Sequence, residues 1–537
     1  MQLLTFTLVR FITYLVAFSP VLSYAAVGAP AWLESAEVDR TIYVNNGDPN
    51  SSDKNPGTAD LPLNTISAAA NLAVLNRSVG FSSKIVISPG VYREQIHLRP
   101  SAHKRDALII FEAKEIGKTV ISGSDLWTGW EPKGEHNYVL PWTFAWGLAP
   151  YPRGWEGHVK MEPIVRRREM VFINGTPLDQ ALSLSNLRAN SFYVSEPTGE
   201  LYVHPPRGIN PNDARVEVAI RSGLFFANTI NNVVLRGLVF QHDTSPVQDS
   251  AVLFSNSQGI LLEQCEFLWN SWTGLGLNNV RNVTVRSNVA NRNGGSGWTA
   301  WRVHNMLSDG NETSFNNWRG ERGGFLGWAV AGLKHLQIHE AVYTNHIAQG
   351  NRTRGVWFDF DNTDISLEGL RICGNLGDGI DIEASQGPIT IKHSRIDNNN
   401  GNGIFSTNSH GVKIEDSFIQ GNKISPIKLS GEAWREVQDW QTKRAMTLRT
   451  DQWALKKIVI KGSSNGLLLD IVGWPHFLNS LVSDENTWIS QSSLGSFKVG
   501  SSFLSFPEWQ ELTKQETHST FRKSDPTSVT ASGTPCM

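Results

Sequence analysis

Between residues 233 and 431 one pattern of apolar and polar positions recurs. Strand-forming runs begin at Ile260, Val283, Ile365, Ile389 and Val412. Ten residues after each start stands an asparagine (Asn270, Asn293, Asn375, Asn399, Asn422). Fourteen after it stands Gly274, Gly297, Gly379, Gly403 or Pro426. Each of these last residues opens a stretch that alternates apolar and variable side chains. In an extended chain such alternation turns the apolar set inward and the variable set outward. A period of about 23 to 24 residues is the size of one coil of a parallel β-helix, so the pattern predicts stacked strands joined by tight turns. The asparagines suit turns because they tolerate the left-handed backbone and their amides can stack. The glycines are expected for the same backbone reason. Gly327-Trp328-Ala329-Val330 and Gly355-Val356-Trp357-Phe358 fit the same strand position at spacings of 30 and 28. Two longer coils with projecting loops are therefore expected, and such loops are where binding and chemistry concentrate.

Upstream, a strand at Thr41–Asn45 runs into the turn Asn46-Gly47-Asp48-Pro49-Asn50. A short amphipathic helix from Ile66 to Leu75 and the run Ile85–Glu94 follow. This order resembles the opening of secreted right-handed parallel β-helix proteins, whose helix covers the open end of the core. Residues 125–225 break the rhythm with Trp and Pro and with hairpin signals at Asn174-Gly175 and Pro197-Thr198-Gly199. The expected fold is all-β, a right-handed parallel β-helix of the pectate-lyase-like kind with a small antiparallel β insertion. The expected boundaries are a signal peptide over 1–25, a cap and first coils over 26–124, the insertion over 125–225, the catalytic β-helix over 226–515 and a disordered tail over 516–537.

Composition narrows the function. The 537 residues are 40% apolar and 18% charged with a formal net charge of -2, which is charge-poor yet too apolar for disorder. Without a long Lys/Arg cluster there is no nucleic-acid footprint. The 19 tryptophans and the asparagine usage suit a hydroxyl-rich ligand, a polysaccharide or oligosaccharide. Arg10, the apolar run Phe11–Phe18, Pro20 and Ser23-Tyr24-Ala25 read as an export leader, so a secreted or periplasmic protein is expected. No later stretch reaches the ~18 apolar residues of a membrane span. Cys265, Cys373 and Cys536 are too few for a disulfide framework. Cys265 and Cys373 lie about four coils apart, too far at roughly 4.8 Å per coil to bond to each other. No zinc-like spacing occurs, and no cofactor or metal is called for.

Chemistry is expected on the outward column. Its last position reads Ser255, Asn278, Trp301, Ala331, Asp359, Glu383, Thr407 and Ser430 down the stack, with carboxylates on two adjacent coils only. Strands one coil apart place Asp359 and Glu383 at about 4.8 Å between β-carbons. Like charges that close do not ionise independently, so one is pushed toward its protonated form. One acid and one carboxylate at about 5 to 5.5 Å is the arrangement of a retaining glycoside hydrolase. Trp301 and Trp357 are interleaved with the acids and offer rings to sugar faces, or pack against a loop. The competing reading is a solvated acidic ladder or a calcium site formed by Asp359, Asp361, Asp364 and Asp381.

The segments Gly355–Asn362 (GVWFDFDN) and Asp378–Pro388 (DGIDIEASQGP) resemble the active-site coils of β-helix glycoside hydrolases, particularly the family 120 β-xylosidases. Weaker likeness extends through Asn316–Gly320, Ala331–Lys334 and the insertion. The resemblance implies Asp359 as nucleophile and Glu383 as general acid/base. Asp361 stands two positions on as a competing nucleophile, and Asp381 faces outward beside Trp357. Both are expected to tune or bind. Two other readings stay open: a polysaccharide lyase with Lys334 as base, and a non-enzymatic carbohydrate-binding β-helix.

Overall fold

The computed structural model describes residues 30–34, 37–99, 107–463, 465–492 and 495–523. The export leader expected over 1–25 lies outside them. Arg40–Val44 pairs in parallel with Ser83–Ile87, and that strand with Ile109–Ala113. The pairing then climbs coil by coil through one 22-stranded sheet, parallel except for the antiparallel pair Phe497–Val499 and Ser502–Leu504, with a 7-stranded sheet on another side. The fold is the expected parallel β-helix, and the buried aliphatic residues of successive coils form one continuous core. Helix α1 (Ile66–Ser78) covers the open end with Ile66, Ala69, Ala70 and Ala73. It is capped by Thr65, whose side chain accepts from the Ala68 amide, and by Glu94, which accepts from the amides of Ile66 and Ser67.

The asparagine column is real and its amides stack as expected, but the turn role expected of it falls to other residues. Asn270, Asn293, Asn316, Asn351, Asn375, Asn399 and Asn422 are buried. Each of the six from Asn270 to Asn399 donates its backbone and side-chain N–H to the Oδ1 of the next asparagine at 2.9–3.1 Å. The left-handed conformation belongs to the residue before each, such as Trp269, Arg292 and Asn398. The asparagines are therefore a ladder that satisfies buried polar groups, and they are not the turn-makers. Nor are the strand-opening glycines left-handed. A Cβ on Gly355 would lie 2.7 Å from both Asn375 Nδ2 and the Gly379 carbonyl oxygen, so the close approach of the next coil excludes a side chain.

The ladder also corrects the coil lengths. Successive rungs are 23 residues apart from Asn293 to Asn316, 35 from Asn316 to Asn351 and 24 from Asn351 to Asn375. One long coil replaces the two expected. Its extra chain holds helix α2 (Trp318–Arg322) and the loop through Gly327-Trp328-Ala329-Val330, which is no strand. In β2 (Ala331–Thr344) it is Leu336, not Ala331, that pairs with Trp301 of β1 (Trp298–Asp309).

Residues 124–219 build a four-stranded and a five-stranded sheet around a separate core that includes Trp130, Trp142, Phe192 and Val218. Arg319 of α2 ties this unit to the coils. Fully buried, it donates to Gln180 Oε1 and to the Glu169 carbonyl, both at 3.0 Å. Order continues where a tail was expected from 516, since Thr520–Lys523 pairs in parallel with Thr487–Ser490. Cys373 is disulfide-bonded, whereas Cys265 is free and buried. Among the described residues no helix is long and apolar enough to cross a membrane.

Candidate active site

Three strands on adjacent coils carry the site: β2, β3 (Arg354–Phe358) and β4 (Ile380–Glu383). Leu333, Val356 and Ile380 are in register and buried, as are His335, Phe358 and Ile382. With these pointing inward, the alternation turns Lys334, Trp357 and Asp381 outward in one column and Asp359 and Glu383 in the next. Asp359 continues the ladder, its amide donating to the His335 carbonyl at 2.8 Å. Its own carbonyl accepts from Ser385 Oγ at 3.0 Å and from Asn362 Nδ2. The backbone beneath the two acids is thus pinned on both sides.

The two side chains are partly open, at 17% exposure for Asp359 and 25% for Glu383, and a cation holds each. Lys334 Nζ lies 2.5 Å from Asp359 Oδ2, and Arg435 Nη1 lies 2.7 Å from Glu383 Oε1. Lys334 also stands 3.3 Å from the centroid of the Trp357 ring, with the Arg354 guanidinium 4.5 Å from the same centroid. Trp357, only 7% exposed, therefore does not offer the sugar-stacking face expected of it. It is a platform that positions two cations. Trp301 does offer a face. It is 38% exposed, and its indole N–H donates to Gln337 Oε1 at 2.6 Å.

The two remaining carboxylates are buried, which corrects their expected contact with substrate. Asp381 sits 2.7 Å from Arg354 Nε, while its other oxygen, Oδ1, has no partner. Burial pushes its pKa up to about 8. Arg354 opposes that rise, and the charges of Asp378, Glu383 and Asp359 add to it. Asp361 has no exposed surface and a left-handed backbone. It accepts from the Trp440 amide at 2.8 Å, from Gln386 Nε2 at 2.9 Å and from His339 Nε2 at 3.3 Å. It cannot compete as nucleophile because every neighbour holds it away from solvent. Burial alone lowers the His339 pKa, but hydrogen bonding to Asp361 and the charges of Asp361 and Asp439 outweigh this and raise it.

The calcium grouping of the competing reading does not assemble, because Asp364 is exposed and Asp381 faces Arg354. A different set, His339, Asp361 and Asp439, brings its ligand atoms within 4.8 Å of one another. There Gln386 Nε2 already bridges the two carboxylates, at 2.9 and 3.3 Å.

Arg435, Trp440 and Asp439 come from a hairpin, β5 (Arg435–Gln438) with β6 (Ala445–Leu448), none of whose residues was among the candidates read from the sequence. The signal was present, since the 23-residue rhythm fails after Pro426 and Ile427 pairs next with Leu469. Under the hairpin lie two adjoining depressions of about 390 and 530 Å³ that share Trp301, Arg302, Trp440 and Lys443. Neither is walled by Asp359 or Glu383. Phe360 and Arg435 mark the edge nearest the carboxylates.

A family profile described as "Right handed beta helix region" matches residues 330–434, the stretch holding both acids. Among solved structures, the chain is similar to "The complex structure of XylC with xylose", at 15% identity over 90% of this chain and 86% of that one, with a TM-score of 0.68. A structure titled "Glycoside hydrolase" aligns at 12% identity over 73% and 95% with a TM-score of 0.41. The A-module of the Azotobacter vinelandii mannuronan C-5 epimerase AlgE6 aligns at 14% over 86% and 94%, with 0.47. No curated protein matches the sequence. At such identities the XylC likeness shows the fold, and the other two carry no argument.

Proposed function

We propose that the protein is a retaining glycoside hydrolase acting on polysaccharide-derived glycans, with Asp359 as nucleophile and Glu383 as general acid/base. The observation that carries this reading is the pair itself: two partly exposed carboxylates, each directly after a residue of the in-register pair Phe358 and Ile382, on adjacent coils whose strands lie about 4.8 Å apart. The resemblance to the family 120 β-xylosidases and the likeness to a fold seen with bound xylose support it. The leader expected over 1–25 would place the enzyme outside the cytoplasm.

In the first step an Asp359 oxygen attacks the anomeric carbon. The bond to the leaving oxygen breaks, and Glu383 delivers its proton to that oxygen. In the second step Glu383 takes a proton from water, the water oxygen attacks the same carbon, and Asp359 leaves as a carboxylate. Lys334 fixes the orientation of Asp359 for attack. Arg435 holds the Glu383 oxygen that a sugar oxygen would approach, so substrate entry must move this guanidinium aside. The lyase reading loses its base, because Lys334 is buried between Asp359 and the Trp357 ring.

The test is to trap the glycosyl-enzyme with a fluorinated slow substrate and map the label by mass spectrometry. The expected result is a glycosyl ester on the peptide carrying Asp359. A label on another carboxylate overturns the assignment, and so does its absence in an enzyme that turns over aryl glycosides.

A further inference from the structure

The trough beneath the hairpin carries a charge excess that the two-carboxylate chemistry does not need. Its floor follows the register column Ser255, Asn278 and Trp301, and the column beside it, Asn256, Asn279 and Arg302, in which every residue is left-handed. Asn279 Nδ2 donates to Asn256 Oδ1 at 2.8 Å, and Arg302 takes the next place in that line. Gln337 Oε1 accepts from Arg302 Nε at 3.0 Å, and the guanidinium lies 4.4 Å from the Trp301 ring centroid. The two terminal nitrogens of Arg302 are left for a ligand. Arg281 projects from the same floor, exposed and in no described ion pair. From the opposite wall comes Lys443 of the hairpin turn, which donates to the Trp440 carbonyl and meets no carboxylate. Against these three cations the walls hold one acid, Glu436.

Elsewhere the protein neutralises such groups, as where Arg236 lies 2.7 Å from Glu112 and 2.8 Å from Glu263. Three unpaired cations around one exposed indole attract an anion, and guanidinium forks match the planar oxygens of a carboxylate or the tetrahedral oxygens of a sulfate. The indole supplies an apolar face for a sugar ring, and the asparagine amides supply donors and acceptors for hydroxyls.

We propose that this trough binds acidic sugar units, carrying carboxylate or sulfate ester groups, of a glycan chain whose neighbouring bond lies at Asp359 and Glu383. The binding site stands on its own observations. The assignment of an anionic substrate to the hydrolase rests on the function proposed above.

The test is calorimetric binding to the full-length Asp359→Asn protein at low salt, using tetragalacturonate, a sulfated carrageenan tetrasaccharide and neutral xylotetraose. At least one acidic probe should bind about tenfold or more tightly than xylotetraose, the scale of one charge-assisted contact. Which probe does so identifies the acidic group. The double variant Arg281→Gln/Lys443→Gln, made in the same background and checked for an unchanged melting temperature, should lose that preference while still binding xylotetraose. Equal affinity for all three probes overturns the proposal, as does a preference that survives in the double variant. Turnover surviving in the Asp359→Asn protein would refute the catalytic reading and leave the binding result standing.

Discussion

Two pairs of carboxylates lie within a few residues of each other and do different work. Asp359 and Glu383 share an outward column, keep part of their surface in solvent, and each meets one cation. Asp361 and Asp381 are fully covered, the first caught by a backbone amide, a glutamine and a histidine, the second pressed against Arg354. Both pairs are carboxylates drawn from the same two coils. The outer pair keeps access to solvent, whereas the inner pair fixes the chain around it, with Asp361 tethering the hairpin that roofs the trough.

The largest effect that separates the pairs is on turnover. Glu383→Gln and Asp359→Asn should each lower kcat by about 10²–10⁴-fold on aryl glycosides with an unchanged melting temperature, because both groups are partly exposed. If either variant keeps wild-type turnover, the outer pair is not the catalytic one. Asp361→Ala should instead act on stability, lowering it by about 3 kcal/mol in denaturant unfolding, since it strands the buried His339 and the Trp440 amide. It should also open the hairpin to limited proteolysis near residues 439–444. Unaltered stability would remove Asp361 from its place as a clamp.

A third distinction appears in pH. The folded Asp381 carboxyl has its pKa raised to about 8, so it keeps a proton that the unfolded chain gives up in the ordinary carboxylate range. The stability this contributes is complete below about pH 4 and is lost as pH rises through about 8, at up to about 1.4 kcal/mol per pH unit. Asp381→Asn should flatten that part of the stability–pH curve. An unchanged slope would place the titration on another group. The smallest effect concerns the part-exposed Arg435–Glu383 pair, worth about 0–1 kcal/mol to stability. Arg435→Ala should leave the melting temperature within a degree or so and raise kcat/KM by about two- to fivefold, because the guanidinium no longer occupies the Glu383 oxygen. A fall in kcat/KM would instead make Arg435 part of the substrate contact.

The coil was legible because its period is written in residues that solvent and neighbours constrain alike: an inward aliphatic pair, a buried amide and a missing Cβ. That the residue before each asparagine makes the turn, and that the glycine is a contact between coils, emerges only when coils are stacked, since a single turn does not show the next one. The outward column placed Asp359 and Glu383 on adjacent coils. It misplaced Ala331, because Gly327-Trp328-Ala329-Val330 mimics a strand while belonging to the loop after α2. Trp357 and Asp381 read as surface residues because alternation reports which face a side chain leaves by and is silent on what then covers it. Here the covers are Arg354 and Lys334. The hairpin lies some 50 residues from Glu383 in sequence, and no local pattern links Arg435 to its partner.

The central claim is that Asp359 and Glu383 act from neighbouring coils as nucleophile and general acid/base of a retaining reaction. Proton NMR of the first product formed from an aryl glycoside tests it directly. The account predicts that the sugar is released with its anomeric configuration retained before mutarotation mixes the two forms. Release with inverted configuration would contradict it and assign the reaction to carboxylates set farther apart.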